Sequence, residues 1–230
     1  MSDSVPVLLV HGWGSSFART WAETGVSSLL EDADRTVIGV DLLGHGDAPK
    51  PHDPEAYADL TTRLVDALPD DGPVDAVGFS TGAMTLLELA CREPERFRRI
   101  VLAGIGRSVF ERDEDGTKKI IAAVEGSGDE DDVRSAVFAH HANQPGNDPQ
   151  ALAAALRRPA PRITPERLAV VTCPVLVVIG DKDFAGPGDP LVAALPDARL
   201  VTLRNVDHFA TPESFAFIDA MLGFLDAIPA

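Results

Sequence analysis

Residues Val74 to Thr85 read VDAVGFSTGAMT: an apolar run of strand length, then Gly-Phe-Ser-Thr-Gly, then a run of good helix formers. This pattern predicts a sharp strand-to-helix turn with Ser80 at its apex. Such a turn forces the serine backbone to positive φ and lifts its hydroxyl clear of the sheet. Gly78 and Gly82 stand two residues either side, where a Cβ would collide with a neighbouring strand or helix. The helix that follows aims unpaired N–H groups and the positive end of its dipole at negative charge forming beside Ser80. The five-residue motif alone is a weak signal; the strand before it and the helix after it make it informative.

Similar short β-branched runs recur on both sides of this turn: Val5–Val10, Arg35–Val40, Ile100–Ala103, Val175–Ile179 and Arg199–Leu203. Most are nearly continuously apolar, as strands covered on both faces of a parallel sheet must be. Helical patterns lie between them at Phe17–Leu30, Pro54–Leu68, Thr81–Glu93 and Leu191–Leu195. A last helix is predicted over Pro212–Ile228, with Thr211 as N-cap and Pro212 at the first helical position. The alternation predicts an α/β fold: a doubly wound, mostly parallel sheet of about six strands with helices on both faces. Working residues in such sheets sit at the carboxyl ends of strands.

One stretch breaks the rhythm. Arg107–Arg167 offers no strand, only helical pieces near Thr117–Val124, Asp131–His140 and Pro149–Arg158, separated by the turn-rich EGSGDED and NQPGNDP. An insertion of that length between core strands is usually functional. It is expected to be a helical lid (107–167) on a core made of 1–106 and 168–230.

Composition bounds the function. With 230 residues, 45% apolar and 24% charged, the chain can bury one sizeable core. A formal net charge of -16 disfavours nucleic acid and anionic membrane surfaces, which are themselves negative. No run approaches the roughly 20 apolar residues of a membrane span. The start, MSDSVPVLLVHG, lacks a basic segment and a cleavage site, so a cytoplasmic location is expected. Cys91 and Cys173 have no metal-ligand spacing and read as buried, reduced thiols.

A serine hydroxyl needs a neighbouring base, a carboxylate to orient that base, and donors for the oxyanion of a tetrahedral intermediate. Of six histidines, His208 follows the last strand and precedes the last helix, which hangs its imidazole over the strand ends. His11 and His45 belong to glycine-rich turns, while His52, His140 and His141 fall in a loop or on the expected lid. The strand Val175–Ile179 runs into Gly-Asp-Lys-Asp-Phe, and spacing leaves Asp181 and Asp183 both open as the acid. Asp207 is the weaker choice, because its side chain diverges from that of its neighbour His208. The Thr81 N–H is one expected oxyanion donor, and the Trp13 N–H, in the loop HGWGSS, the other. His11, Gly12, Phe79 and Phe209 are the expected pocket wall.

In order, PVLLVHGWG, DLLGHGDA, VGFSTGA, CPVLVVIGDKD and NVDHF resemble the α/β-hydrolase fold superfamily over essentially the whole chain. The resemblance implies the triad Ser80, Asp183, His208, because the family's acid usually lies three residues after the strand-ending glycine. It also supports Trp13 as the second donor and the lid after Ile100–Ala103. HGWG is similar to the carrier-protein methyl esterases of biotin synthesis, and GFSTG to the cofactor-free haloperoxidase and aryl-esterase group. The chain starts directly at the HGWG strand, a shortened start shared with plant methyl esterases and hydroxynitrile lyases. The expected activity is hydrolysis of small to medium carboxylic esters through an acyl-enzyme, with no cofactor and no metal. Perhydrolysis, C–C hydrolysis or cyanohydrin cleavage on the same residues is the alternative, or a small-ligand receptor with an intact triad. A carrier-protein partner would use Arg134, Arg157, Arg158 and Arg162 in the lid's later part.

Overall fold

The computed structural model describes residues 5–129, 131–159 and 162–229. Glu130, within EGSGDED, and the first four residues lie outside that range. Among the described residues six strands form one parallel sheet: β1 (Val7–Val10), β2 (Val37–Val40), β3 (Val74–Phe79), β4 (Phe97–Ala103), β5 (Val175–Gly180) and β6 (Ala198–Leu203). Their order across the sheet is β2-β1-β3-β4-β5-β6. The direction of winding therefore reverses between β1 and β3, which pair with Val10 opposite Gly78. A crevice opens outside the strand ends at such a switch point. Here the HGWG loop leaves β1 and the Ser80 turn leaves β3 side by side.

The period-two alternation of side chains divides the core into two halves. Leu8, Val10, Val74, Ala76, Ile100, Leu102, Val175 and Val177 face one layer. That layer holds α2 (Thr62–Ala67), α3 (Thr81–Arg92) and α8 (Asp189–Ala194), through Leu64, Leu86, Leu87 and Leu191. Val7, Leu9, Val77, Phe79, Val101, Leu176 and Val178 face α1 (Val26–Asp32) and α9 (Phe215–Phe224), through Leu30, Phe217 and Met221. Full burial of each such aliphatic side chain is worth roughly 1.5–3 kcal/mol. The doubly wound architecture is thus a direct consequence of strands that are apolar on both sides.

Asp75 is the exception within β3. It is fully buried and held by two arginines, with Arg35 Nη2 2.5 Å from Oδ2 and Arg98 Nε 2.8 Å from Oδ1. Arg35 also donates to the carbonyls of Val5 and Leu225, which ties the strand's starting end to the edge and to the end of α9.

The insertion between β4 and β5 holds α4 (Glu114–Val124), α5 (Val133–Ala142), α6 (Pro149–Arg157) and α7 (Pro165–Leu168). Asp113, Asp132, Asp148 and Thr164 cap them with side-chain oxygens. Ile120, Val124, Ala142 and Leu152–Ala155 form a small apolar cluster of their own. From the rest of the chain, the buried side chains that join it are Trp13, Tyr57 and Leu60.

Three expected helices are shorter or broken. Phe17–Leu30 splits at Gly25, whose φ of 81° is not helical, leaving a π turn over Ala18–Ala22 before α1. Pro54–Leu68 splits into a 3-10 turn (Pro54–Tyr57) and α2. There Asp59 accepts from both the backbone N–H and the hydroxyl of Thr61, bonds that compete with the helical ladder. The last helix starts at Phe215 rather than Pro212, with Ser214 at its N-cap; the Thr211 hydroxyl instead donates back to the Asp207 carbonyl. Cys91 and Cys173 are free and only half-buried, although burial still pushes the Cys173 thiol up to about 11. Among the described residues no helix is long and apolar enough to cross a membrane.

Candidate active site

Ser80 has φ 51° and ψ −114°, a conformation L-residues avoid, between the last residue of β3 and the first of α3. The surrounding packing enforces it. A Cβ on Gly78 would lie 2.7 Å from the backbone nitrogen of Ala83, and one on Gly82 2.5 Å from the carbonyl oxygens of Val10 and His11. Strand, turn and helix are closer here than any side chain permits, and the serine is the residue left at the apex.

Ser80 Oγ lies 2.9 Å from His208 Nε2. His208 Nδ1 lies 2.9 Å from each carboxylate oxygen of Asp183, so the imidazole donates to the carboxylate and accepts from the hydroxyl. His208 and Asp183 are buried, and Asp183 Oδ1 also accepts from the Ala185 N–H at 2.8 Å. Asp181, two residues earlier, points into solvent. Asp207 accepts from the Ala210 N–H, outside this chain of bonds. Phenyl rings enclose the imidazole, with centroids of Phe184 at 4.3 Å, Phe79 at 5.0 Å and Phe209 at 5.3 Å. Gly104 makes room for this, since its absent Cβ would sit 2.7 Å from the Phe79 ring and 3.2 Å from His208 Cε1.

The HGWG loop is a tight turn. Ser15 N–H donates to the Gly12 carbonyl at 3.3 Å, and Gly14 takes φ 73° as the third of its four residues. A turn of this kind leaves its second N–H, that of Trp13, unbonded. His11 fixes the orientation of that peptide. Its Nε2 accepts from Leu42 N–H at 3.1 Å, so the proton is on Nδ1, which donates to the Gly12 carbonyl at 2.7 Å. The peptide is trans, so holding Gly12 C=O on the His11 side turns the Trp13 N–H to the other. Burial lowers the His11 pKa despite Asp41 nearby, which keeps the ring neutral and able to accept from Leu42. Among the described residues neither the Trp13 nor the Thr81 amide has an acceptor.

A cavity of about 650 Å³ opens beside Ser80. Trp13, Phe79 and Phe209 come from the core, Phe138, His141 and Gln144 from the insertion, Arg19 from the π turn and Glu23 from the residue just after it. Phe79 and Phe209 thus line it as expected. His11 and Gly12 do not: His11 is turned into the core by its two hydrogen bonds, and Gly12 is pressed against the Phe79 ring. Sequence reading also missed Phe138, Phe184 and His141; the His141 ring stacks on Phe209 at 4.6 Å. For Phe138 and His141 the only cue was an aromatic or histidine on α5, where core packing is the ordinary explanation. Phe184 ends the Gly-Asp-Lys-Asp-Phe turn, where only its place beside His208 reveals its contact. Among the described residues no cluster of three or more His, Cys, Asp or Glu could hold a metal ion.

A parallel sheet wound on both faces, with a strained serine turn at its switch point, defines a class, and the match to known proteins agrees. The chain belongs to the alpha/beta hydrolase family, whose model matches residues 7–220. It is 31% identical over 266 aligned residues to a pimeloyl-[acyl-carrier protein] methyl ester esterase of Neisseria meningitidis serogroup A, covering 98% of this chain and 80% of that protein. It is 37% identical over 106 residues to a 2-hydroxymuconate semialdehyde hydrolase of Pseudomonas putida, covering 44% of this chain and 37% of that protein. In fold it is similar to a thermophilic esterase from Thermogutta terrifontis, with a TM-score of 0.74, 20% identity and coverage of 98% and 91% of the two chains.

Proposed function

We propose that the protein is a serine carboxylesterase acting on esters of small to medium acyl chain. The observation that carries this reading is the unbroken line of hydrogen bonds from Ser80 Oγ through His208 to Asp183, ending at a cavity with an aromatic wall. In this reading Ser80 Oγ attacks the acyl carbonyl while His208 takes its proton, and Asp183 holds the imidazole in place and stabilises its charged form. The Trp13 and Thr81 amides receive the oxyanion, the second backed by the N-terminus of α3. His208 then protonates the departing alcohol, and water drawn across the same imidazole hydrolyses the acyl-enzyme. The segment 107–167 is the lid in this scheme, supplying Phe138 and His141 to the acyl wall.

Free small-molecule esters suit the surface better than a carrier-linked substrate. Arg134 is paired with Asp113 and Arg157 with Glu125, each at 2.6 Å, and Arg158 turns back to the Ala155 carbonyl. Three of the four arginines that an acidic carrier would need are thus engaged at home, and the net charge of -16 repels such a partner as a whole.

Turnover of p-nitrophenyl acetate and butyrate tests the proposal. Ser80→Ala should reduce kcat by roughly 10⁴–10⁶-fold and Asp183→Asn by about 10⁴-fold, while Asp181→Asn should leave it within about twofold. Wild-type turnover in Ser80→Ala would refute the mechanism, and a larger loss at Asp181 than at Asp183 would reassign the acid. A β-diketone that is cleaved while simple esters are not would move the reading to C–C hydrolysis on the same residues.

A further inference from the structure

The loop that carries one proposed oxyanion donor is bonded to the helical insertion as firmly as to the core. The Trp13 side chain is buried in the insertion's own apolar cluster, beside Leu152 and Ala153 of α6, and its indole N–H donates to the Leu152 carbonyl at 3.1 Å. One residue further on, the Gly14 carbonyl accepts from Asn147 Nδ2 at 2.7 Å. The second hydrogen of the same amide goes to the His141 carbonyl at 2.8 Å. Both acceptors are carbonyl oxygens, so only the NH₂ end of Asn147 can face them, and its orientation is fixed by chemistry. Gly14 itself approaches closely, since a Cβ on it would lie 3.4 Å from His141 Cβ.

The turn closes on itself through Ser15 N–H and the Gly12 carbonyl; His11 holds that carbonyl from the core side, while Asn147 and Leu152 hold Gly14 and Trp13 from the insertion side. The core and the insertion therefore hold one four-residue turn from two sides, with the unbonded Trp13 N–H between them. We infer that Asn147 is a positioning residue for the oxyanion hole. Closure of the insertion and completion of the hole are then a single event. Displacing the insertion would pull the Trp13 ring with it and leave the Gly14 carbonyl without its donor, so the protein would hydrolyse esters only in the closed arrangement. This inference rests on the esterase reading above. Donors of this kind act only when held about 2.7–3.1 Å from the place where the oxyanion forms, so a small displacement of the turn is costly.

The test compares wild type, Asn147→Ala, Trp13→Phe and Ser80→Ala on p-nitrophenyl acetate, beside inhibition by an alkyl trifluoromethyl ketone. That inhibitor forms a tetrahedral oxyanion adduct on a serine. Asn147→Ala should lose about 10–100-fold in kcat with KM within about threefold, and its affinity for the ketone should fall in parallel with kcat/KM. Trp13→Phe keeps an aromatic side chain in the cluster but removes the indole N–H and part of the ring, so it tests the second bond to the insertion and should lower kcat in the same direction. It also keeps the inference testable if Asn147→Ala does not fold. Asn147→Gln, with the same amide on a longer stem, should recover part of the loss. If Ser80→Ala is inactive while both loop variants keep kcat and ketone affinity within twofold of wild type, the positioning role is wrong and the esterase reading stands. A fall in kcat with unchanged ketone affinity would equally overturn it, because the loss would then not lie in the oxyanion. If Ser80→Ala turns over like wild type, the esterase reading itself fails, and this inference with it.

Discussion

Asp75 and Ser80 stand at opposite ends of one strand, and the two ends solve the burial of polar groups in opposite ways. At the starting end of β3 the Asp75 carboxylate is enclosed with full charge and balanced by Arg35 and Arg98. At the finishing end lie two buried imidazoles, those of His11 and His45, whose rings are 5.2 Å apart and whose pKa values burial lowers. Burial, first of all, pushes His45 down to about 3, and the neighbouring His11 adds to the shift. One end is built for cohesion: its charges join strand, edge and α9. The other keeps the His11 and His45 rings neutral behind the loop where a negative oxyanion is proposed to form, and it holds its glycines for close approach rather than for packing. The lesson is that stability and proposed chemistry in this chain share a strand without sharing residues.

Removing the carboxylate is the strongest way to break that separation. Asp75→Ala leaves Arg35 buried and unpaired, with a side chain only 6% exposed, so unfolding free energy should drop by about 3–5 kcal/mol. Specific activity of the folded fraction should stay within about twofold of wild type. Urea melts and active-site titration check the two halves separately. A matching loss of activity per folded molecule would mean that the two ends are coupled.

How much of this was legible in the sequence follows the same division. The strands were readable because each is apolar on alternate sides that are both buried, and the Ser80 turn because Gly78 and Gly82 leave few alternatives. Asp75 hid in plain sight: an aspartate in an apolar run says nothing of the arginines at positions 35 and 98 that fold back onto it. Spacing could not choose between Asp181 and Asp183, since only the packed turn shows one under His208 and the other in water. Helix ends failed where side chains competed locally, at Asp59 with Thr61 and at Thr211 with Asp207. Asn147 was invisible for a similar reason. In NQPGNDP it reads as one more turn former, and its two carbonyl partners are contributed by distant segments and by the end of α5.

The finishing end should announce its neutral histidines in the pH dependence of stability. The folded-state pKa of His45 is about 3 against an ordinary 6.5, so the unfolded chain takes up a proton that the folded protein refuses. Its contribution is present in full above pH 6.5 and is lost as pH falls toward the folded value. At about 1.4 kcal/mol per pH unit, this one ring removes about 2 kcal/mol between pH 6.5 and 5. His45→Gln should flatten the slope of unfolding free energy over that interval by this amount, relative to wild type in parallel urea melts. An unchanged slope would show that His45 is charged in the fold, which would remove half of the contrast between the two ends.

The smallest effect bears on why the serine end is strained at all. Ser80 holds φ 51° and ψ −114° because β3, α3 and β1 are packed too closely for the turn to relax. A residue without a Cβ adopts that region at little cost, so Ser80→Gly should raise thermal stability by roughly 1 kcal/mol even though glycine gives the unfolded chain more freedom. At an ordinary turn in the left-handed region the same gain would be a matter of stability alone. Here it would come with the complete loss of p-nitrophenyl acetate turnover, because the hydroxyl aimed at His208 is the group removed. A glycine variant that is less stable than wild type would place the cost elsewhere, in the hydrogen bond from Ser80 to His208, and would make the serine a contributor to cohesion like Asp75. A more stable but inactive variant would keep the two ends of β3 distinct, with the backbone strain at the serine end maintained by the close approach of Gly78 and Gly82 to their neighbours.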